Sequence, residues 1–298
     1  MALLLRGLKS GELVVELPDG AEHVFRGAAP GVHARIRVMD PGFARRLIAG
    51  GHLALGEGYI DGAWDTPDLD AVLDLGLENI SQGWGATRVP ALRRPIERLR
   101  HTLRDNDPDG GSKRNIAAHY DLGNDFYRLW LDDTMTYSSA CLTPDERSAR
   151  DAIELERAQR RKWDRMLELV QPAPGDHLLE IGCGWGGFAL HAAREAGCRV
   201  TGLTLSEEQA ALAREHVAEE GLEGLVDIRL QDYRRVEGTF DGIVSIEMFE
   251  AVGERWWPGF FRRLGEMLSA GSAAAIQTIT IAAGGFGGYR RKHDVLQR

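Results

Sequence analysis

A glycine-rich turn is the feature of the sequence with the clearest chemical meaning. Residues 178–190 read LLEIGCGWGGFAL, and the spacing G-x-G-x-x-G is met by Gly182, Gly184 and Gly187. Glycine allows sharp turns that bring the backbone close to a ligand, and the amino terminus of the helix expected after the turn would face that ligand. The turn therefore predicts a cofactor site, and the spacing alone is compatible with a nicotinamide dinucleotide.

The residues at the end of the second predicted strand argue against a dinucleotide. A dinucleotide site places an acidic residue there, about 20 residues past the first glycine, to bind the ribose. Here the strand ends in the uncharged Leu203, Thr204 and Leu205, and a carboxylate, Glu180, instead precedes the glycines. The resulting pattern, E-x-G-x-G-x-G-G, resembles that of S-adenosylmethionine-dependent methyltransferases. Because a sulfonium cation suits a nearby carboxylate better than a pyrophosphate does, we expect S-adenosyl-L-methionine as the cofactor.

The composition excludes several other classes of protein. With 298 residues, 43% of them hydrophobic and 27% charged, the chain is long enough for two globular domains. Its net charge of −9 argues against a nucleic-acid partner. No apolar run reaches the ~18 residues of a membrane span, and the start of the chain does not resemble a signal peptide. The cysteines lack metal-binding spacing, and we expect a cytoplasmic protein.

Alternating strands and helices must position the residues of the glycine turn. Predicted strands cover 177–181, 198–205, 226–230, 241–246 and 272–281, and predicted helices cover 156–170, 187–196, 206–220 and 255–268. This alternation predicts an α/β fold with a doubly wound parallel sheet. Ligands of such sheets bind outside the carboxyl ends of the strands, so we expect functional residues directly after each strand.

The residues before this sheet divide into two parts. Residues 1–80 suggest half-buried strands at ELVVELPDG and HARIRVMD and helices at DPGFARRLIAGG and from Leu69, which indicate a small α+β domain. Residues 81–114 are predicted to be a basic linker that precedes a methyltransferase domain at 115–298. The arginine-rich stretch 88–104 has an apolar stripe, which favours a helix packed on its own protein over one lying on an anionic membrane.

Four segments, in chain order, resemble the cyclopropane-fatty-acyl-phospholipid synthases and the mycolic-acid cyclopropane synthases. They are HYDLGNDFYRLWLDDTMTYSSA, LLEIGCGWGG, VTGLTLSEEQ and VSIEMFEAVG, and GEGYIDGAWDTPDL is similar to the lipid-binding accessory domain of the phospholipid enzymes. The resemblance implies a Rossmann-like class I methyltransferase fold. It also implies methyl transfer to the cis double bond of an unsaturated phospholipid acyl chain, giving a cyclopropane. The partners would be phospholipid acyl chains at the membrane surface, on its inner face, and a homodimer is left open.

The resemblance implies roles for residues at the cofactor. The segment TYSS would touch the cofactor, the loop glycines would face its amino-acid part, and Thr204 with Gln209 would replace the missing acidic ribose ligand. Near the adenine, Asp232 would bind the amino group and Ile246 would pack on the ring. The full set is Tyr137, Ser138, Glu180, Gly182, Gly184, Gly186, Thr204, Leu205, Gln209, Asp232 and Ile246. Other interpretations stay open, since Ser206 and Gln209 have capping-box spacing, Asp232 suits a turn and Ile246 suits a core.

The chemistry of the reaction explains the catalytic residues that the resemblance implies. An alkene is a poor nucleophile, methyl transfer onto it creates a carbocation, and a base must then remove a proton while water is excluded. The resemblance implies a bicarbonate ion as that base, held by Glu250 with Ser139, Gln277 and Ile279. Glu250 is expected in an apolar setting, with an exposed loop carboxylate as the alternative.

Three positions depart from the family's pattern around the base. Ser139 stands where a cysteine is usual, Ala251 where a histidine is common, and Gln277 where a histidine is expected on the last strand. The Gln277 amide can donate a hydrogen bond but cannot hold a positive charge. A weaker base site would allow a hydride shift before proton loss, so a methyl-branched or methylene-branched chain is a close rival of the cyclopropane.

The end of the sequence raises a last expectation. YRRKHDVLQR resembles a mid-domain segment of the family, so the methyltransferase domain is expected to be incomplete at its carboxyl end. The predicted strand 272–281 would then be an apolar sheet edge prone to aggregation, and the chain would be weakly active or inactive alone. Two rivals are a methyltransferase with a soluble acceptor and a non-catalytic protein that binds cofactor or lipid.

Overall fold

The computed structural model describes residues 7–80, 123–146, 152–282 and 284. The chain divides into two compact units, of which one contains residues 7–80 and the other residues 123–280 of those described. The linker predicted at 81–114, with its arginine-rich stretch, lies outside the described residues, so the two interpretations of that stretch stay predictions.

The first unit is a small sheet with helices. Its strands are β1 (Ser10–Glu16), β2 (Glu22–Arg26), β3 (Ala29–Val38) and β4 (Trp64–Asp65), and its helices are α1 (Phe43–Gly50), α2 (His52–Ile60) and α3 (Leu69–Ile80). The strand order is β2-β1-β3-β4, with β1 parallel to β3 and antiparallel to β2. This confirms the predicted α+β character and adds β2, β4 and α2, which the sequence analysis did not predict.

Helix α2 was missed because its glycines were interpreted as turn residues. A Cβ atom at Gly58 would lie 2.5 Å from the Phe43 ring, which is itself fully buried beside Trp64. Glycine at this position therefore allows α2 to pack closely on the core, and it does not end the helix.

Asn79 on α3 ties the start of β1 to the helix. It is fully buried; its Oδ1 accepts hydrogen bonds from the N–H groups of Lys9 and Ser10, at 2.7 and 3.1 Å. Its amide group donates to the carbonyls of Ser10 and Leu75, at 3.0 and 2.8 Å. One side chain thus satisfies four buried backbone groups.

We expect Asn79→Leu to lower the free energy of unfolding of this unit by about 3 kcal/mol, because buried backbone groups would lose their partners. Urea unfolding measures the decrease in the free energy of unfolding. Hydrogen exchange of the β1 amides measures the decrease for this unit alone. The control is Leu77→Ala on the same helix, because Leu77 is 67% exposed; its effect should stay within about 0.5 kcal/mol. Equal exchange rates in the Asn79 variant and the wild-type protein would contradict the prediction.

The second unit is a parallel sheet flanked by helices. Its strands are β5 (His177–Ile181), β6 (Arg199–Thr204), β7 (Val226–Leu230), β8 (Phe240–Ile246) and β9 (Leu268–Gln277). Its helices are α4 (Asn124–Arg128), α5 (Ala152–Val170), α6 (Gly187–Ala196), α7 (Glu207–Glu219) and α8 (Trp257–Met267). The strand order is β7-β6-β5-β8-β9 and every pair is parallel. The predicted doubly wound α/β sheet is confirmed, and its order reverses between β5 and β8, where such folds bind ligands.

The two faces of this sheet carry separate cores, because successive residues of a strand point to opposite sides. On β5, Leu178 packs in the cluster that includes Trp163 and Phe188, whereas Leu179 packs in the cluster that includes Phe260. The first face is covered by α5, α6 and α7 and the second by α8.

Helix α5 is amphipathic, and its apolar side faces the sheet. Trp163, Met166 and Val170 are buried and Leu167 packs beside them, so the helix has one apolar stripe. With 19 residues, α5 is the longest helix in the described ranges. Its other side is rich in arginine and glutamate. Nowhere in the described ranges does a helix combine the length and the apolarity that crossing a membrane requires.

The last strand differs from the prediction. β9 begins at Leu268 and ends at Gln277, so residues 278–281 lie outside it. The predicted apolar edge is wrong at these positions, because the Ile279 N–H donates to the Glu250 carboxylate and not to a neighbouring strand. Ile279 is 68% exposed. Within the described ranges, β9 pairs only with β8.

Candidate active site

The glycine turn between β5 and α6 has a conformation that glycine adopts readily. Gly182, Gly184 and Gly186 have φ of +86°, +53° and +90°, in the left-handed region that other residues avoid. The Leu203 carbonyl on β6 accepts hydrogen bonds from Gly182 N–H at 3.0 Å and from the next N–H at 2.8 Å. A Cβ atom at Gly182 would lie 2.9 Å from Met248 Cβ, whereas one at Gly184 would meet no described atom within 4 Å. Packing therefore requires Gly182, and Gly184 leaves the backbone open to a ligand.

The end of β6 brings Thr204 and Gln209 together. The Thr204 hydroxyl donates to Gln209 Oε1 at 2.8 Å, and the Ser206 N–H donates to Thr204 Oγ1 at 3.2 Å. The Gln209 N–H donates to the Ser206 hydroxyl at 3.2 Å, so Ser206 caps α7. The Gln209 side chain turns to Thr204 instead of back to Ser206, and only half of a capping box is formed. Between them, Leu205 is half-buried. Their role at a ribose stays a prediction.

Asp232 follows β7 as predicted, but its carboxylate is engaged by Arg234. Oδ1 accepts the Arg234 N–H at 2.9 Å, and Oδ2 pairs with the guanidinium at 2.5 Å. Asp232 thereby caps the short 3-10 turn Tyr233–Arg235, as the turn interpretation expects. Ile246, the last residue of β8, is half-buried and packs against the core on the α5 side. Contact of either residue with adenine stays a prediction.

Glu180 on β5 is a buried carboxyl group with an unused oxygen. It is 2% exposed, and Oε2 has no hydrogen-bond partner among the described residues. Burial raises the pKa of this carboxyl to about 8, against the opposing charge of Lys162. Since a buried polar atom without a partner is costly, Glu180 fits a cationic ligand beside the glycine turn.

Two residues that the sequence analysis did not single out hold Ser138 in place. Lys162 Nζ donates to the Ser138 hydroxyl at 2.6 Å and to Gln159 Oε1, and the Gln159 amide donates to the Ser138 carbonyl at 2.9 Å. Both side chains are buried, and burial lowers the pKa of Lys162 to about 8. The sequence contained a signal for these two residues. Gln159 and Lys162 precede Trp163 and Met166 by four residues each, which places them on the apolar side of the helix. Polar residues in a buried stripe are rare unless they are paired.

Tyr137 belongs to an aromatic cluster formed with Tyr127, Trp130 and Trp185. The Tyr137 ring lies 5.6 Å from the Tyr127 ring and 5.3 Å from the Trp130 ring, and Tyr127 lies 5.0 Å from Trp185. Tyr137 and Trp130 are 44% and 47% exposed, and the nearby Leu129 is 82% exposed. The cluster therefore presents apolar surface next to the predicted cofactor residues.

Ser139 and Gln277 converge on Glu247, a residue that the sequence analysis did not assign to the site. Glu247 Oε1 accepts hydrogen bonds from the Ser139 N–H at 3.0 Å, from the Ser139 hydroxyl and from the Gln277 amide at 3.0 Å. The Glu247 N–H donates to the Gln277 carbonyl at 2.9 Å. Glu247 directly follows β8, where the fold places functional residues, and this position was the available signal.

Glu250 is exposed, so the expected apolar setting is wrong. It lies in the 3-10 turn Phe249–Ala251, in which Phe249 and the buried Val252 turn toward the core while the carboxylate turns outward. Its Oε1 accepts hydrogen bonds from the Thr278 hydroxyl at 2.9 Å and from the Ile279 N–H. Glu250 therefore holds the segment that leaves β9.

The groups predicted to bind bicarbonate all meet carboxylates of the chain itself. The Ser139 N–H and the Gln277 amide donate to Glu247, and the Ile279 N–H donates to Glu250. A bicarbonate ion would have to displace these side chains to reach the same donors. The arrangement therefore does not fit the ion.

Comparison with known proteins identifies a family and two similar curated proteins. The sequence model of the family described as "Mycolic acid cyclopropane synthetase" matches residues 109–288. The chain is 41% identical over 242 residues to "Tuberculostearic acid methyltransferase UfaA1" of Mycobacterium tuberculosis, covering 80% of this chain and 55% of that protein. It is 38% identical over 261 residues to the "Cyclopropane-fatty-acyl-phospholipid synthase" of Escherichia coli strain K12, covering 83% and 60%. The chain thus spans little more than half the length of these curated relatives.

A solved structure supports the fold. The cyclopropane synthase MmaA2 from Mycobacterium tuberculosis is 33% identical to this chain, with a TM-score of 0.54 over 64% of each chain. The parallel sheet and its glycine turn are therefore those of a Rossmann-like methyltransferase.

Proposed function

Because the chain belongs to the mycolic acid cyclopropane synthetase family, we propose that it transfers a methyl group from S-adenosylmethionine to the cis double bond of an unsaturated phospholipid acyl chain. The observation that carries the proposal is the glycine turn beside Glu180. Its backbone is open at Gly184, and a buried carboxyl group with an unused oxygen lies on the preceding strand.

The residues around the turn suit this cofactor. When bound, S-adenosylmethionine supplies an electrophilic methyl group on a sulfonium cation. The loop glycines would bind its amino-acid part and Glu180 would face its positive charge, while Thr204 and Gln209 would bind the ribose without a carboxylate. Ser138, held by Lys162 and Gln159, would position the cofactor from the opposite side.

An acyl chain is supported as the acceptor by the relatives and by the aromatic cluster. One relative is named for a fatty acid and the other for a fatty-acyl phospholipid. The exposed side chains of Leu129, Trp130 and Tyr137 offer an apolar surface of the kind that binds lipids. We propose that the protein works at the membrane surface, on its inner face, and takes the acyl chain along this cluster.

Two products are compatible with the site. After methyl transfer, loss of a proton from the added methyl group closes a cyclopropane, whereas a hydride shift before proton loss gives a branched chain. One relative is named as a methyltransferase and the other as a cyclopropane synthase. Gln277 instead of a histidine favours a slow proton loss, so we keep the branched product as the second candidate.

Incubation of the protein with methyl-labelled cofactor and vesicles of cis-unsaturated phospholipid tests the proposal. We expect label in the acyl chain, and fragmentation in the mass spectrometer distinguishes a ring from a branch. Vesicles of saturated phospholipid are the control and should receive no label. Label found only in an added soluble hydroxylated acceptor, or tight cofactor binding without any transfer, would refute the proposed function.

A further inference from the structure

The Glu247 carboxylate lies among hydrogen-bond donors from two other segments of the chain. Its Oε1 receives two hydrogen bonds from Ser139 and one from the Gln277 amide. Two segments far apart in the sequence therefore converge on a single oxygen, as they would on one oxygen of a bound anion. All described hydrogen bonds to the Glu247 carboxylate end on Oε1, so within this part of the chain Oε2 is available to accept a proton.

The backbone at Glu247 holds this carboxylate in a fixed direction. Its φ of +51° lies in the left-handed region, which a residue with a side chain adopts only when its surroundings impose it. The hydrogen bond from the Glu247 N–H to the Gln277 carbonyl fixes this conformation at the end of β8. Such conformations concentrate at functional sites.

A buried cation lies close to Glu247. Lys162 is buried, and among the charges that raise its pKa against burial Glu247 has the largest effect. Lys162 also binds the hydroxyl of Ser138, the neighbour of Ser139. The carboxylate and the cofactor residues thus belong to one network.

We infer that Glu247 is the proton acceptor of the reaction and takes the place expected of a bicarbonate ion, an inference that rests on the proposed function. The alkene π electrons form the new C–C bond as the C–S bond breaks and leaves its electron pair on sulfur. For the ring, a C–H bond of the added methyl group then breaks, its electrons form the second C–C bond to the cationic carbon, and the proton moves to Glu247 Oε2. For the branched chain, a hydride shift comes first, and the electrons of the C–H bond that then breaks form a C=C bond. Glu247 returns the proton to water after the product leaves. A carboxylate suffices as the proton acceptor, because the C–H protons of a carbocation are strongly acidic.

Two variants of Glu247 test the inference in buffer freed of carbon dioxide. We expect wild-type protein to form labelled acyl product without bicarbonate, and Glu247→Gln to lower kcat at least ~100-fold with unchanged cofactor affinity. Glu247→Gly should lose activity equally and recover part of it with added bicarbonate, because the vacated donors admit the ion. Glycine adopts the φ of this position readily, so this variant should fold. The matched control is Glu237→Gln, an exposed glutamate outside the site, which should keep wild-type activity.

Bicarbonate binding gives a readout that does not need turnover. In NMR titrations with ¹³C-bicarbonate, we expect binding to Glu247→Gly and none to wild-type protein. Binding to wild-type protein, binding to neither protein, or wild-type turnover by Glu247→Gln would each overturn the inference. If wild-type protein transfers no methyl group to lipid, the proposed function fails, and the binding comparison still decides which anion the donors hold.

Discussion

Alanine at Gly184 is expected to weaken binding of S-adenosylmethionine about 30-fold, equivalent to about 2 kcal/mol of binding free energy. The reason is geometric. Gly184 has φ of +53°, and a Cβ atom there would meet no described atom of the protein within 4 Å. Backbone strain at Gly184 can account for part of the lost cofactor affinity. Any further loss therefore comes from a steric clash between the new Cβ atom and the ligand. Isothermal titration calorimetry measures the affinity, and thermal unfolding measures the strain.

Gly221→Ala is the matched control for this experiment. Gly221 has φ of +66°, and its Cβ position is equally open, but it lies after α7 and outside the site. Both variants should lose about 1 kcal/mol of stability from the left-handed conformation. Only the Gly184 variant should lose cofactor affinity. Equal affinity in the two variants would show that the ligand does not approach the turn at Gly184.

Replacement of Glu180 by glutamine is expected to stabilise the protein while it impairs cofactor binding. Burial raises the pKa of Glu180 to about 8 from its ordinary value of 4.5. A raised pKa means that the folded state holds a proton which the unfolded state releases, so stability falls as pH rises from 4.5 to about 8. Glutamine removes this dependence, and we expect the variant to be more stable than wild-type protein by about 3 kcal/mol at pH 7.

The experiment compares urea unfolding of wild-type protein and Glu180→Gln from pH 5 to pH 8. The difference in stability between the two proteins should grow with pH, because only wild-type protein has the Glu180 carboxyl group. Lys162 titrates in both proteins, so its contribution to the difference largely cancels. Glu219→Gln, an exposed glutamate on α7, is the control and should follow wild-type protein at every pH. The variant should also bind S-adenosylmethionine ~10-fold more weakly, since the sulfonium cation favours the ionised form of Glu180 and glutamine cannot make that charge-assisted contact. A stability difference that does not change with pH would contradict the raised pKa.

Local patterns in the sequence predicted most of the sheet. The apolar run 177–181 and the glycines after it predicted β5 and α6 with the bounds that the structure has. The end of β9 could not be predicted in this way. TITI at 278–281 alternates like a strand, but Glu250 on a distant turn captures the Ile279 N–H and takes the chain out of the sheet.

The site was predicted less completely than the fold, for a physical reason. Thr204 and Gln209, both predicted at the ribose, lie together because a strand end and the first turn of the next helix are close in any such fold, and their role there stays a prediction. The choice between Glu247 and Glu250 depends on the geometry of one 3-10 turn, which decides which carboxylate faces Ser139. Lys162 lies on α5, whose contact with Ser138 is visible only in three dimensions.

The left-handed backbone at position 247 determines which amino-acid substitutions the position tolerates. Glycine adopts this conformation without steric cost, so an exchange of glutamate and glycine there requires no rearrangement of β8 or of Gln277. A glutamate codon becomes a glycine codon by a single nucleotide change. A protein that binds an anion from solution at this place and a protein that supplies the carboxylate from its own chain would then be separated by one mutational step.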